Sequence, residues 1–317
     1  MDQLSFASLD YATKKKRTKR EAFLAEMAAV VPWAKLEAVI EPHYPKSGPQ
    51  GGRLPFPLPV MLRIYCLQQW YGLSDPGAEE ALYDIHCARS PAWNSAATRS
   101  LTRRRSSTSA ICSSGTTLRR QSSRLSQNIS RRAARCCAGG TIVDATLIAA
   151  SPSTKNKQQK RDPAMRSSKK GNQWYFGMKT HVGVDAKSGL VHTAGVTTGS
   201  VHDAKVMDHL IREDDRAVYG DKGYASDEKK RAAEDAGVLW AVKEKAKPGR
   251  KLAKRQQARN RRFGKVRAKV EHVFRVMKCQ FGYRKVRYRG IAKNGAQVFS
   301  LLALANLYLA RGRLASA

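Results

Sequence analysis

Hydrophobic and polar positions follow two different rhythms along this chain, separated by a stretch with neither. Over residues 21–30 and Trp33–Ile40 apolar residues recur at three- and four-residue spacing, which predicts two helices. A Pro/Gly-rich connector, HYPKSGPQGGRLPFPLP, leads to VMLRIYCLQQWY, an amphipathic helix with Pro59 in its first turn, and residues 75–85 predict another. Their aliphatic and aromatic residues read as core.

From residue 141 the rhythm becomes that of strands alternating with helices. TIVDATLIAA, residues 141–150, is an apolar run with one carboxylate, Asp144, inside it. A run of that kind suits a central strand covered on both faces, where a charge is costly without a partner or metal. A basic loop, 151–171, precedes alternating strands at 174–185 and 190–197, joined by the hairpin turn DAKSG. SVHD suggests a capped helix over 200–211, with Ser200 and Asp203 as the capping box. A short strand at Ala217–Gly220 ends at Asp221, a helix covers 227–236, and a strand covers 238–242. The basic linker KEKAKPGRKLAKRQQARNRR then leads to a helix near 265–281 and a last apolar helix over 295–311. A mixed sheet flanked by helices follows from that order.

Residues 87–140 carry 12 Ser, 11 Arg and four of the six Cys, with no Asp, Glu, Lys, Val, Phe or Tyr. A disordered basic linker would permit this composition. Loss of every Lys from a Lys-rich chain favours a compensated frameshift instead, with the native reading resuming near Gly140. Three parts are therefore expected: a helical domain at 1–86, an anomalous segment at 87–140, and an α/β domain at 141–317.

Charge narrows the class of partner. The chain has 59 Lys+Arg against 25 Asp+Glu, a formal net charge of +34, which calls for a polyanion such as nucleic acid. The longest apolar run, 298–310, is too short to span a bilayer, and the N-terminus lacks an apolar signal core. Six cysteines without CxxC spacing argue against zinc and disulfides. A cytoplasmic protein is expected.

Three carboxylates are placed to converge: Asp144 in the first strand, Asp221 at a strand end, and Glu271 on the helix KVRAKVEHVFRVMKCQFG. Arg267, Glu271 and Lys278 share one face of that helix, and an ordinary Arg267–Glu271 ion pair is the plain alternative for Glu271. Carboxylates are the hard ligands that magnesium takes alongside phosphate oxygens, and two such ions suit phosphoryl transfer. Asp185 reads as a turn residue and Asp203 as a cap. His181, His202 and His272 read as packing or phosphate contacts. Trp174, Tyr175 and Tyr224 are candidates for stacking on unpaired bases, with core packing at least an equal alternative for the first two. The eight Lys or Arg within 247–262, among them Arg250, Lys251, Lys254 and Arg255, are candidates for contact with the DNA backbone.

These motifs in this order resemble the DDE transposases of bacterial insertion sequences, in particular the IS-five (InsH-like) group. The resemblance rests on TIVDATLIAA, GNQWYFGMKTHVGVDAKSGLVH, TTGSVHDAKV, YGDKGY and VEHVFRVMKCQFG with its Arg-x3-Glu-x6-Lys spacing, and on PVMLRIYCLQQWYGLSD in the N-terminal part. It implies a ribonuclease H-like fold and a catalytic, metal-binding triad of Asp144, Asp221 and Glu271. It further implies two Mg²⁺ ions (with Mn²⁺ as substitute) and phosphate contacts from Lys222, Arg267 and Lys278. The implied partner is double-stranded DNA, as terminal inverted repeats and target, bound by a homodimer or larger synaptic complex in a bacterial cytoplasm. Where related transposases place a Tyr three positions before the Arg, this chain has Gly264. A decayed transposase that binds DNA without cutting it is the alternative expectation.

Overall fold

The structure, a computed structural model, describes residues 18–44, 55–84, 139–155, 157, 159–246 and 249–315. The anomalous segment lies outside the described residues except for its last two, 139–140. Two compact units are present, Met1–Leu118 with Ala310–Ala317, and Arg119–Leu309.

The first unit is helical: α1 (Lys19–Val30), α2 (Trp33–Ile40), α3 (Leu58–Tyr71) and α4 (Asp75–Asp84). Helix α1 starts where its sequence provides a stop: the Thr18 hydroxyl accepts from the Glu21 N–H, and Glu21 reaches back to the Thr18 N–H. Helix α3 ends at Gly72, whose φ of 66° is the left-handed cap that glycine adopts without strain. Its buried residues Val60, Met61 and Ile64 pack with Tyr44, Phe56 and Leu82. Phe23 meets Trp70 edge-on at 5.4 Å between ring centroids, and the Arg63 guanidinium lies 4.9 Å from the centre of the Trp33 ring. The aromatic residues of this unit thus serve packing, as the sequence suggests.

The second unit is built on a six-stranded mixed sheet: β1 (Thr141–Ala149), β2 (Arg166–Lys170), β3 (Gln173–Asp185), β4 (Val191–Thr198), β5 (Ala217–Gly220) and β6 (Leu239–Val242). The order is β2-β3-β1-β5-β6, with β4 also paired to β3. Strand β1 is central, antiparallel to β3 and parallel to β5, and β6 continues the parallel side. This is the ribonuclease H-like arrangement.

Helix α5 (Asp227–Asp235) links β5 to β6, α6 (Lys254–Arg275) packs against β1, β5 and β6, and α7 (Ile291–Ala315) closes the chain. Pleating sorts the sheet faces. Val143, Val218 and Val242 turn to one side, against Met207, Leu210 and Tyr224. Residues of opposite parity, Ile142, Asp144 and Tyr219, face α6, where the Tyr219 and Phe263 rings meet at 6.3 Å.

Several local expectations change. Residues 200–211 form two short 3-10 turns, Asp203–Lys205 and Met207–His209, instead of a helix. The cap is the His202 ring, not Ser200 with Asp203. Asp203 is drawn instead to Lys179, with 3.0 Å between their charged atoms. The basic loop hides strand β2, because RSSKK has no apolar alternation to betray it. Helix α6 begins at Lys254, three turns before the expected start, since the Arg/Lys/Gln-rich stretch is helix-forming but almost wholly polar.

Candidate active site

Strand register puts the chemistry in one row. Thr141, Val218 and Trp240 lie side by side, as do Ile142, Tyr219 and Ala241. Extended past the paired residues, the same register sets Asp144, within β1, level with Asp221 and Lys243, which directly follow β5 and β6. Carboxyl ends of neighbouring parallel strands are where open α/β sheets hold their ligands. The spacing of neighbouring strands is about 5 Å.

Helix α6 lies over that row. Arg267 Nη2 donates to Asp144 Oδ2 at 2.6 Å, and the Ala145 N–H donates to the other carboxylate oxygen at 2.9 Å. Glu271 Oε1 lies 3.6 Å from Arg267 Nη2, so the expected ion pair forms, shared with Asp144. The Asp144 side chain is only 11% exposed, whereas the Glu271 side chain is 60% exposed. Burial pushes the Asp144 carboxyl up to about 6, against the pull of Arg267 and the Ala145 N–H, with Glu271 adding to the rise. Asp144 is therefore a carboxylate short of positive charge.

Asp221 is half exposed, with Lys243 Nζ at 3.8 Å. Gly264 of α6 lies beside that lysine: a Cβ there would stand 3.4 Å from Lys243 Cε, an ordinary contact. Lys278 lies in a π-helical turn, Val276–Gln280, that continues α6. Its Nζ donates to the Leu147 carbonyl of β1 at 2.9 Å, and burial, then Lys170, pull its pKa down.

Among the described residues, no three His, Cys, Asp or Glu side chains sit close enough to hold a metal ion. The donor chemistry nonetheless fits a divalent cation. Two hard carboxylates stand level, one of them buried, and each is met by a basic side chain where a cation would bind. Arg267 Nε and Tyr224 Oη are buried beside them without a hydrogen-bond partner among the described residues.

Lys222, Arg250, Lys251, Lys254 and Arg255 are all exposed, Lys222 beside Asp221 and the other four at or before the start of α6. Arg259, of the same basic cluster, is tied to Glu244 at 2.7 Å. Lys247 lies outside the described residues. Tyr224 is 2% exposed and belongs to the core, so it does not stack on a base. Burial, then Asp203, raises its pKa. Asp185 ends β3 and holds the turn that follows it, accepting from the Ser188 N–H at 2.6 Å. His181 is buried, with its Nε2 2.8 Å from the Thr197 hydroxyl oxygen. Lys243 escaped sequence reasoning. The parallel pairing of β5 with β6 reveals it, by setting the residue after AVYG level with the residue after LWAV.

Comparison with known families matches residues 135–307 to the family described as Transposase DDE domain, and residues 12–108 to Transposase domain (DUF772). The chain belongs to the DDE transposases. Members of this family are generally catalytic phosphoryl transferases that act on DNA with divalent metal. The two matched spans leave residues 109–134 between them. No solved structure matches the chain. Among the described residues no helix is long and apolar enough to cross a membrane.

Proposed function

We propose that this transposase cleaves and rejoins DNA at the ends of an insertion sequence of the IS-five (InsH-like) group, with Asp144, Asp221 and Glu271 as its catalytic and metal-binding carboxylates. The observation that carries this reading is the shared register of Asp144, inside β1, with Asp221, directly after the parallel neighbour β5, beneath the helix that bears Glu271. Mg²⁺, with Mn²⁺ as its substitute, supplies activation of the attacking oxygen and stabilisation of the leaving one when two ions are bound.

The chain's own residues do the rest. Asp144 is buried with its charge only partly compensated, which favours exchange of the Arg267 guanidinium for a cation. Arg267, once released, is a planar donor beside the scissile position, already carrying one buried N–H without a partner. Glu271, on the same helix face as Arg267, is the third carboxylate of the proposed site. Lys222 and Lys278 flank the row to hold phosphate oxygens. Arg250, Lys251, Lys254 and Arg255 bind the DNA backbone farther out, without reading sequence. The substrate is double-stranded DNA, as terminal inverted repeats and target, and joining two ends calls for a homodimer or larger assembly.

A nicking assay on DNA carrying the element's ends tests the reading. Cleavage that requires Mg²⁺ or Mn²⁺ and vanishes in Asp144→Asn supports it, and cleavage retained by Asp144→Asn refutes it. A second reading, a decayed transposase, rests on residues 109–134, which neither family match covers, although the matches do reach into 87–108 and 135–140 of the segment read as frameshifted. Salt-dependent DNA binding with no cutting in either metal would select that reading.

A further inference from the structure

Strands β2 and β3 form a hairpin whose chemistry the catalytic row does not use. Lys170 pairs with Gln173 and Lys169 with Trp174, and Gly171 turns the chain with a φ of 61°. Arg166, Lys169 and Lys170 are exposed, and Trp174 is 69% exposed, the largest exposure among the described large hydrophobic side chains. Residues 151–176, the hairpin with its leading loop, carry seven Lys or Arg and one acid, Asp162. Asp162 is occupied, accepting from the backbone N–H groups of Ala164 and Gly290. Trp174 thus presents a large aromatic face to solvent on a basic ribbon.

The ladder fixes where that indole points. Asp144 lies directly opposite Val182 on β3, and no register break interrupts β3 between Val182 and Trp174 on either the β1 or the β2 side. Every second residue from Val182 back to Trp174 therefore faces the same side of the sheet as Asp144. Eight residues at about 3.3 Å each separate the two rows by about 26 Å. That is the length of about eight stacked base steps at 3.4 Å. Lys278, beside the Asp144 strand, feels the charge of Lys170.

We infer that the β2–β3 hairpin is a second DNA-contacting element, in which Lys169 and Lys170 hold phosphates and Trp174 stacks on a base that has left its pair. The inference rests on the transposase reading and adds to it a contact about eight base steps from the site of cleavage. An indole offers a rigid aromatic face to any base, so the contact favours distorted or unpaired DNA over a particular sequence.

Fluorescence anisotropy with full-length protein and two duplexes tests the inference. The duplexes share one sequence and differ by a single unpaired base. Wild type is expected to bind the duplex with the unpaired base more tightly. Trp174→Ala is expected to lose about tenfold on that duplex and little on the paired one, whereas Trp174→Phe keeps most of the preference. Lys169→Gln with Lys170→Gln is expected to weaken both duplexes alike and to flatten the salt dependence by about two counterions. Equal losses on both duplexes, or none, in Trp174→Ala would overturn the inference. So would a fall in the sedimenting mass of DNA-free Trp174→Ala protein with its preference unchanged, which would make the hairpin a contact between copies of the chain. A wild type that binds neither duplex defeats the transposase reading as well. A wild type that shows the preference alongside a Trp174→Ala variant that keeps it defeats the hairpin alone.

Discussion

Arg212 and Arg267 each hold buried carboxylates beside the central strand, and they do so to opposite degrees of completion. At Arg212 every oxygen is answered. Asp215 accepts from the Thr141 hydroxyl, from the Arg212 N–H at 2.8 Å and from its guanidinium at 2.9 Å. Asp185 accepts from the Ser188 hydroxyl at 2.7 Å and from Arg212 at 3.3 Å. At Arg267 the network stays open: the Arg267 Nε and Tyr224 Oη are buried without partners among the described residues, and Glu271 looks out to solvent. Closed buried networks rigidify a fold, whereas open ones leave charge that a ligand can complete. The same pair of residue types thus serves architecture at one end of β1 and, in the function proposed above, chemistry three residues later.

The widest separation between the two networks is expected in Asp144→Asn. Strand cleavage should fall to background, while the midpoint of urea unfolding should move by no more than the equivalent of about 1 kcal/mol. Asparagine keeps the shape and removes a charge that its surroundings already disfavour. A variant that loses cleavage only because it unfolds would erase the distinction.

Arg212→Ala should behave in the reverse manner. It leaves Asp185 and Asp215 buried without their counter-ion, and breaking a buried pair in this way costs about 3–5 kcal/mol. Arg267→Ala should cost clearly less, because burial already raises the Asp144 carboxyl against the pull of Arg267, and without that pull it takes up a proton more readily. Urea denaturation of the two variants side by side decides, and equal losses would collapse the comparison.

How much of this was legible in the sequence follows from which forces leave a local trace. Asp144 inside an apolar strand and Asp221 after AVYG could be read because burial writes itself into hydrophobic pattern. Arg267 and Glu271 could be read from helical spacing. The clasp of Arg267 on Asp144 could not, since 123 residues separate the partners. Nor could the Arg212 network, in which Thr141, Asp185, His192 and Asp215 come from four segments that only the sheet brings together. Strand β2 was missed because an edge strand with exposed faces needs no alternation. The start of α6 was missed because a helix held by its last turns can be polar at its first. Tyr224 follows the DK of the YGDKGY motif and looks like a site residue, yet its ring is core.

The pH dependence of stability distinguishes the networks by a smaller margin. His192 is buried, with its Nε2 2.9 Å from the Thr141 hydroxyl oxygen. That hydroxyl gives its hydrogen to Asp215, so Nε2 carries the imidazole proton and Nδ1 accepts from Thr193. Burial, then Arg212, pulls His192 down to about 4, with Asp215, Asp185 and Asp214 opposing. The unfolded chain takes up a proton near pH 6.5 and the folded chain only near pH 4. The His192 contribution is therefore complete above about pH 6.5 and is lost as pH falls towards about 4, amounting to about 3 kcal/mol. Unfolding free energies of wild type and His192→Gln, measured across that window, should converge as pH falls.

The smallest expected effect concerns Lys243, and it asks whether the open network is open on both aspartates. Lys243 and Asp221 are 3.8 Å apart and partly exposed, so the pair contributes about 0–1 kcal/mol to stability. Lys243→Ala should therefore leave the urea midpoint nearly unchanged. Its effect should appear in cation binding. With the ammonium gone, Asp221 no longer exchanges one cation for another, and a Mn²⁺ titration without DNA should tighten by up to about fivefold, the equivalent of about 1 kcal/mol. Arg212→Ala, titrated at a temperature where it remains folded, should show no such gain, because its aspartates belong to the closed network. If Mn²⁺ affinity is the same with and without Lys243, the lysine is a bystander, and the competition for cation is confined to Arg267 on Asp144.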